Sequence, residues 1–347
     1  MSKIISFILV LFAAVIFIST TSINLRPSVE FANFIASHPE KTSSCLSQNG
    51  EIIFSYKSNE SLPVSSTTKI LVAAAYANQV SKGQVDLNED ISLNKIKDLY
   101  LPFEKSSQFD KWLKKKSTAS LSVLLRAMIK YNSNAIEEFL IGKIGLEKIN
   151  EIIGILNLES HSKITPPVSL QLAINNKQKV TGSNRPSIIK DALSIHQEIA
   201  EGNLNASKVK LKSNNSNIDE SLQSEATTKE YTTLLDNILG YQNLDDGTID
   251  VMIPFLIDVT YDENGSEIYR DQPSVIQSFG SQDFYNVIIY NKEASSDERF
   301  VSSYFFKGLN KKEIALLEEN VENLIDHIQS EQNLDEVIKD LTNIAFD

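Results

Sequence analysis

Apolar and polar positions follow three rhythms along this chain, and their order predicts its elements. In "SSCLSQNGEIIFSYKSNESLP", residues 43–63, two short apolar runs flank Asn49-Gly50, the pattern of a β-hairpin with a two-residue turn. The next run, "KILVAAAYANQV", is apolar on every side and predicts a buried helix that ends at Lys82-Gly83, a basic residue followed by a C-terminal glycine. From there to about Leu256 the spacing is mainly helical: "LSVLLRAMIKYNSNAIEEFLIGKIG", "LEKINEIIGILN" and "TKEYTTLLDNILGY" carry apolar residues at helical intervals, and Thr227 with Glu230 forms a capping box. Two extended runs follow, "DFYNVIIYN" and "RFVSSYFFKG", and then an amphipathic helix, "NKKEIALLEENVENLIDHIQ". Strands, helices, strands and helix in that order predict an α+β fold. Its antiparallel sheet is built from both chain ends and flanked by helices, with an all-helical subdomain inserted over about 84–256. Residues 175–223, rich in Asn, Ser and Lys, fit none of these rhythms and are expected to be an insertion or long loops.

Composition narrows the function classes. The 347 residues carry a formal net charge of −12, and the largest basic cluster is Lys114-Lys115-Lys116, so nothing attracts nucleic acid or anionic lipid. The apolar run Ile4 to Ile18 follows Lys3 and is shorter than a comfortable membrane span. Residues 1–22 therefore read as a signal peptide or an N-terminal membrane anchor, with 23–347 as the working domain. An exported location is expected, periplasmic, extracellular or anchored on the outer face of the cytoplasmic membrane, with membrane contact only through an uncleaved N-terminal segment. Cys45, the single cysteine, has no partner for an internal disulfide and reads as a buried strand residue. The four histidines are scattered, no G-x-G-x-x-G or P-loop pattern occurs, and neither a metal nor a cofactor is expected.

The stretch "LPVSSTTKILVAAAYANQV", residues 62–80, places hydroxyls and an ammonium at the mouth of the buried helix. Ser66 and Lys69 are three apart, so if the helix begins at Ser66 both side chains lie on one face and the ammonium can reach the hydroxyl. A lysine followed by Ile70, Leu71 and Val72 is desolvated, which favours its neutral, basic form, and the helix N-terminus offers N–H groups to a developing oxyanion. The same spacing recurs at Ser92/Lys95, Ser160/Lys163, Ser187/Lys190 and Ser207/Lys210, and Ser65 or Ser66 also suits a plain N-cap, so the tetrapeptide does not decide between the two readings.

Its context does. The hairpin, the proline-containing approach, S-x-x-K, the Ala-rich helix and the Gly with a Leu-containing acidic segment resemble, in order, the start of the serine β-lactamase and penicillin-binding protein superfamily, its class A branch above all. The resemblance covers about Ser44 to Gly145 and Ala226 to Gln329. It implies an S-D-N element at Asn132, Ser133 and Asn134, in which the asparagine is kept and Asn132 stands in place of the relay serine. Ser133 is either a substitute relay or a structural loop serine. It implies a K-T-G element at Ser278, Phe279 and Gly280, where the glycine is kept and the lysine and threonine are not, with the Ser281 N–H completing an oxyanion hole beside that of Ser66. Arg270 and Arg299 are candidates for the missing positive charge, or surface residues. The glutamate of the family's E-x-x-L-N deacylation loop is not assigned from the resemblance; Glu159 is an acidic candidate, or a solvent-exposed helix end.

The resemblance thus implies a serine hydrolase. Ser66 attacks the amide of a small-molecule β-lactam or a D-alanyl peptidoglycan peptide, Lys69 takes the proton, and Asn132, Ser133, Asn134, Ser278, Phe279 and Gly280 bind substrate. A catalytically impaired family member that binds a cell-wall peptide or a protein partner is the alternative.

Overall fold

The computed structural model describes residues 25–101, 116–175, 180–181, 183–211, 222–256, 259–261, 267–269, 274–278, 284–292, 298–330 and 334–344. They fall into two units, one of residues 1–37 and 317–347, the other of His38–Leu316. The apolar run 4–18 lies outside the described residues. No described helix is long and apolar enough to cross a membrane.

In the smaller unit, helix α1 (Pro27–Ala36) starts with proline in its first turn, where a missing N–H costs nothing. Arg26 just before it pairs with Glu336 and Asp340, and Ser28 Oγ donates to Asp340 at 2.6 Å.

The larger unit is built on five antiparallel strands in the order β2-β1-β11-β10-β9: β1 (Thr42–Gln48), β2 (Glu51–Tyr56), β9 (Ser274–Ser278), β10 (Phe284–Lys292) and β11 (Arg299–Lys307). β1 lies between its hairpin partner and β11, Cys45 opposite Ser303, so strands from both chain ends form one sheet, as the pattern predicts. The hairpin turns at Asn49 (φ 54°) and Gly50 (φ 92°), the left-handed pair that Asn-Gly adopts at little cost. Cys45 is fully buried, and burial pushes its thiol up to about 11, which makes it an inert packing residue. Shorter strands complete the set: β3 (Leu62–Pro63) pairs with β6 (Glu225–Ala226), β4 (Asp90–Ser92) with β5 (Thr118–Ser120), and β7 (Val259–Tyr261) with β8 (Glu267–Tyr269).

The buried helix is α2 (Lys69–Ser81), entered through a 3₁₀ turn at Ser65–Thr68 instead of starting at Ser66 itself. Lys69 through Asn78 are all buried, which explains why its apolar residues do not favour one face. It stops where the sequence indicates: Gly83 takes φ 68° and donates to Val80 O at 2.9 Å, while Gln84 N donates to Gln79 O. The helical block continues through α3 (Leu93–Lys97), α4 (Leu121–Lys130), α5 (Asn134–Ile144), α6 (Leu146–Ile155), α7 (Pro167–Asn175) and α8 (Arg185–Ala200) to α9 (Thr228–Leu239) and α10 (Asp246–Leu256). α9 carries the full capping box at Thr227 and Glu230 and lies against β1 and β11, with Thr232 Oγ1 donating to Cys45 O at 3.0 Å. α11 (Lys311–Ser330) and α12 (Leu334–Thr342) end the chain.

Within the polar segment 175–223, expected to be an insertion or long loops, α8 forms. Its buried stripe is only Ile188, Ala192 and His196, spaced four apart, with proline in the first turn. So narrow a stripe, one-third of it histidine, leaves no apolar rhythm to read.

Candidate functional site

The turn that presents Ser66 is fixed from below by backbone pairing. Val64 N donates to Ser224 O at 2.8 Å beside the β3–β6 pair, and Thr67 N donates to Val64 O at 2.9 Å. Ser66 is half-buried at the edge of a cleft of about 400 Å³, counting the part open to solvent, whose lining also includes Lys69, Asn134, Glu137, Leu170 and Ser224.

Across from the serine stands the first turn of α5. Ser133 caps it, its Oγ accepting from Ile136 N at 3.3 Å, and residues 134 and 137 follow on one face. Lys69 Nζ donates to Asn134 Oδ1 at 3.0 Å and pairs with Glu137 Oε2 at 2.9 Å, while Thr68 Oγ1 donates to Glu137 Oε1 at 2.9 Å. Lys69 and Glu137 are 3% and 2% exposed. The lysine is therefore desolvated as expected, but it faces a carboxylate and not an apolar wall. An ion pair this deep persists only because both charges are matched and hydrogen-bonded.

The next residue, Glu138, points elsewhere and holds a cleft wall. Its carboxylate accepts from Val168 N at 2.9 Å, Ser169 N at 3.2 Å, Ser169 Oγ and His196 Nδ1 at 2.7 Å. It neutralises the N-terminus of α7, which contributes Pro167 and Leu170 to the lining. His196, on α8, thus links the polar segment to the cleft.

Behind the serine turn, His161 Nδ1 donates to Ser162 O at 2.6 Å, so Nε2 is left to accept from the Tyr231 hydroxyl at 3.1 Å. Burial raises the Tyr231 phenol and lowers the His161 imidazole, the latter partly offset by its bond to Ser162. The sign follows from the depressed folded value: the unfolded chain binds a proton first, so folding loses stability as pH falls through the ordinary value of about 6.5 toward the folded one. His161→Gln is expected to flatten that loss, measured as thermal midpoint between about pH 7.5 and about pH 5. An unchanged slope would place the acid sensitivity in other groups.

Of the residues singled out in the sequence, Ser66, Lys69 and Asn134 line the same cleft. Asn132 and Ser133 are not in the described lining. Asn132 occupies a left-handed turn at φ 51°, which asparagine tolerates better than most residues, and Ser133 is 1% exposed and serves as the cap. Ser278 ends β9 opposite Asn286. Phe279, Gly280, Ser281 and Arg270 lie outside the described residues. Arg299 is neither at the cleft nor on the surface: it is 8% exposed, with Nη2 on Asp236 Oδ2 at 3.2 Å and Nε on Asp236 O at 3.1 Å. Glu159 is exposed and outside the described lining. Sequence reasoning missed Glu137, although its signal was present: it stands to Asn134 as Lys69 stands to Ser66, three residues on along a helix face. Among the described residues, no group of acidic, histidine or cysteine side chains can hold a metal ion.

A model described as the beta-lactamase enzyme family matches residues 26–284 of the chain. Similar solved structures include a β-lactamase from Chitinophaga pinensis (TM-score 0.53, 15% identity, 86% of this chain and 98% of that one). A representative class A β-lactamase from Bacteroides cellulosilyticus is alike to the same degree (TM-score 0.52, 15% identity, 89% and 100%). A β-lactamase from Sphaerobacter thermophilus gives a TM-score of 0.52 at 15% identity, over 87% and 94% of the two chains. At that identity the likeness speaks for the fold alone. No curated protein matches the chain by sequence.

Proposed function

Since the chain belongs to the beta-lactamase enzyme family, we propose that it is a serine hydrolase forming an acyl-enzyme at Ser66 with the amide of a β-lactam or a D-alanyl peptide. Convergence in one cleft carries the reading: the serine, a buried lysine three residues on, and Asn134 bonded to that lysine at 3.0 Å. Ser66 Oγ attacks the carbonyl carbon and passes its proton through Lys69 to the leaving nitrogen, and the C–N bond breaks to leave an ester on Ser66. Asn134 holds Lys69 with its carbonyl oxygen, which directs its NH₂ group toward a substrate amide. The envelope of a bacterial cell, reached through the 1–22 segment, is where such substrates occur.

Asn132 and Ser133 favour the second reading. The position that would relay a proton carries an amide, and the neighbouring hydroxyl is committed to capping, which fits a member that binds cell-wall peptide without turning it over. Intact-mass measurement of the full chain incubated with a penicillin, followed by peptide mapping, separates the two. An adduct on the peptide containing Ser66 is expected; a folded sample with neither adduct nor penicillin hydrolysis at high ligand would leave the binding protein.

A further inference from the structure

We propose that Glu137 is the base that activates water in the hydrolytic half of the reaction, which makes this chain an enzyme that turns over and not one that stays acylated. The proposal rests on the reading of Ser66 as nucleophile. It begins from a demand of the chemistry: an ester on Ser66 is cleaved at neutral pH only if a group beside it takes a proton from the attacking water. The one E-x-x-L-N match in the sequence, Glu201 to Asn205, follows α8 with Glu201 exposed and accepting from Gln197 and Asn203 at 2.9 Å each, and neither it nor the exposed Glu159 is in the described lining.

Glu137 is the carboxylate that the described lining shares with Ser66. Its two oxygens are held from opposite ends by residues of the serine's own turn and helix, Oε1 by Thr68 Oγ1 at 2.9 Å and Oε2 by Lys69 Nζ at 2.9 Å. Two fixed donors lock its rotamer, the preorganisation that a base needs. A carboxylate has about four acceptor positions, so lone pairs are left to take a water proton. Its neighbour Glu138 shows the contrast. That carboxylate accepts four bonds from α7 and His196, which is a structural anchor's pattern.

The step balances. Water oxygen bonds to the ester carbonyl carbon while Glu137 takes one water proton. The bond from that carbon to Ser66 Oγ then breaks, the proton passes from Glu137 through Lys69 to Oγ, and the acyl group leaves as a carboxylic acid.

The test follows the penicillin adduct on the full chain by intact mass, in the parent, Glu137→Gln and Glu137→Asp. In the parent the adduct is expected to form and decay. In Glu137→Gln it should form and last at least ~100-fold longer. Glu137→Asp, which keeps a carboxylate but draws it back, should decay at a rate between the two. Decay of the Gln adduct at the parent rate would overturn the proposal. So would slower formation with unchanged decay, which would confine Glu137 to neutralising Lys69. Should the Gln variant fail to fold, decay of the Asp adduct at the parent rate overturns the proposal on its own. Absence of both adduct and penicillin hydrolysis on the folded parent would instead remove the acyl-enzyme reading itself, and this inference with it.

Discussion

Ser66→Ala is expected to abolish both adduct formation and hydrolysis of a chromogenic β-lactam while the thermal midpoint stays where it is. The backbone bonds that shape the serine's turn, Thr67 N to Val64 O and Lys69 N to Ser66 O, do not involve the hydroxyl, and the side chain is only half-buried. Removing it deletes the nucleophile and little else. Lys69→Met should lose acylation as well, but for a different reason and with a second consequence. It strips the partner from Glu137, a carboxylate 2% exposed, and an uncompensated buried charge costs about 3–5 kcal/mol. Adding Glu137→Leu should recover much of that stability without recovering activity, because an apolar pair of similar size needs no compensation. Denaturant midpoints and adduct mass measure the two effects separately. Undiminished hydrolysis by Ser66→Ala would mean that the nucleophile lies elsewhere, and a stable Lys69→Met variant would mean that Glu137 can reach solvent.

The second large effect is on stability and lies far from the chemistry. Asp236→Ala is expected to destabilise the chain by about 3–5 kcal/mol, a large part of the total stability of an ordinary domain. Asp236 is 3% exposed, accepts from Ser47 Oγ at 3.1 Å and Gly50 N at 3.3 Å, and matches the charge of Arg299, which also reaches its backbone carbonyl. One carboxylate thus joins α9, the β1–β2 turn and the start of β11. Arg299 leaves no spare room: a Cβ at Gly240 would lie 2.5 Å from its Cζ, so Gly240→Ala is expected to disturb the same pair from the other side. Urea unfolding followed by circular dichroism reads both variants. A loss below about 1 kcal/mol would show that the guanidinium escapes to water when its partner goes.

Much of this architecture is legible along the chain because it depends on neighbours in sequence. Asn49-Gly50 specifies a turn whatever surrounds it, since both residues tolerate positive φ. Thr227 and Glu230 cap their helix by bonds that reach only three residues. The all-apolar run after Lys69 had to be buried, and Ser66 and Lys69, three apart at its mouth, line one cleft. With strands from both ends and helices between them, the α+β arrangement follows from order alone.

Other features were settled by packing across long stretches of chain. Nothing local says that Arg299 turns inward to Asp236, 63 residues away, or that Glu137 reaches Lys69 while Glu138 reaches α7. Two adjacent glutamates read alike in sequence; helix geometry points them about 100° apart, and the elements they meet give one to the cleft and the other to its wall. α8 was hidden for the same reason, since its three-residue stripe becomes a helix face only once His196 finds Glu138. Local hydrogen bonding and periodicity are short-range and written in residue order. Which carboxylate meets which cation depends on where distant elements dock, so the partner of the candidate catalytic lysine was decided only by the tertiary structure.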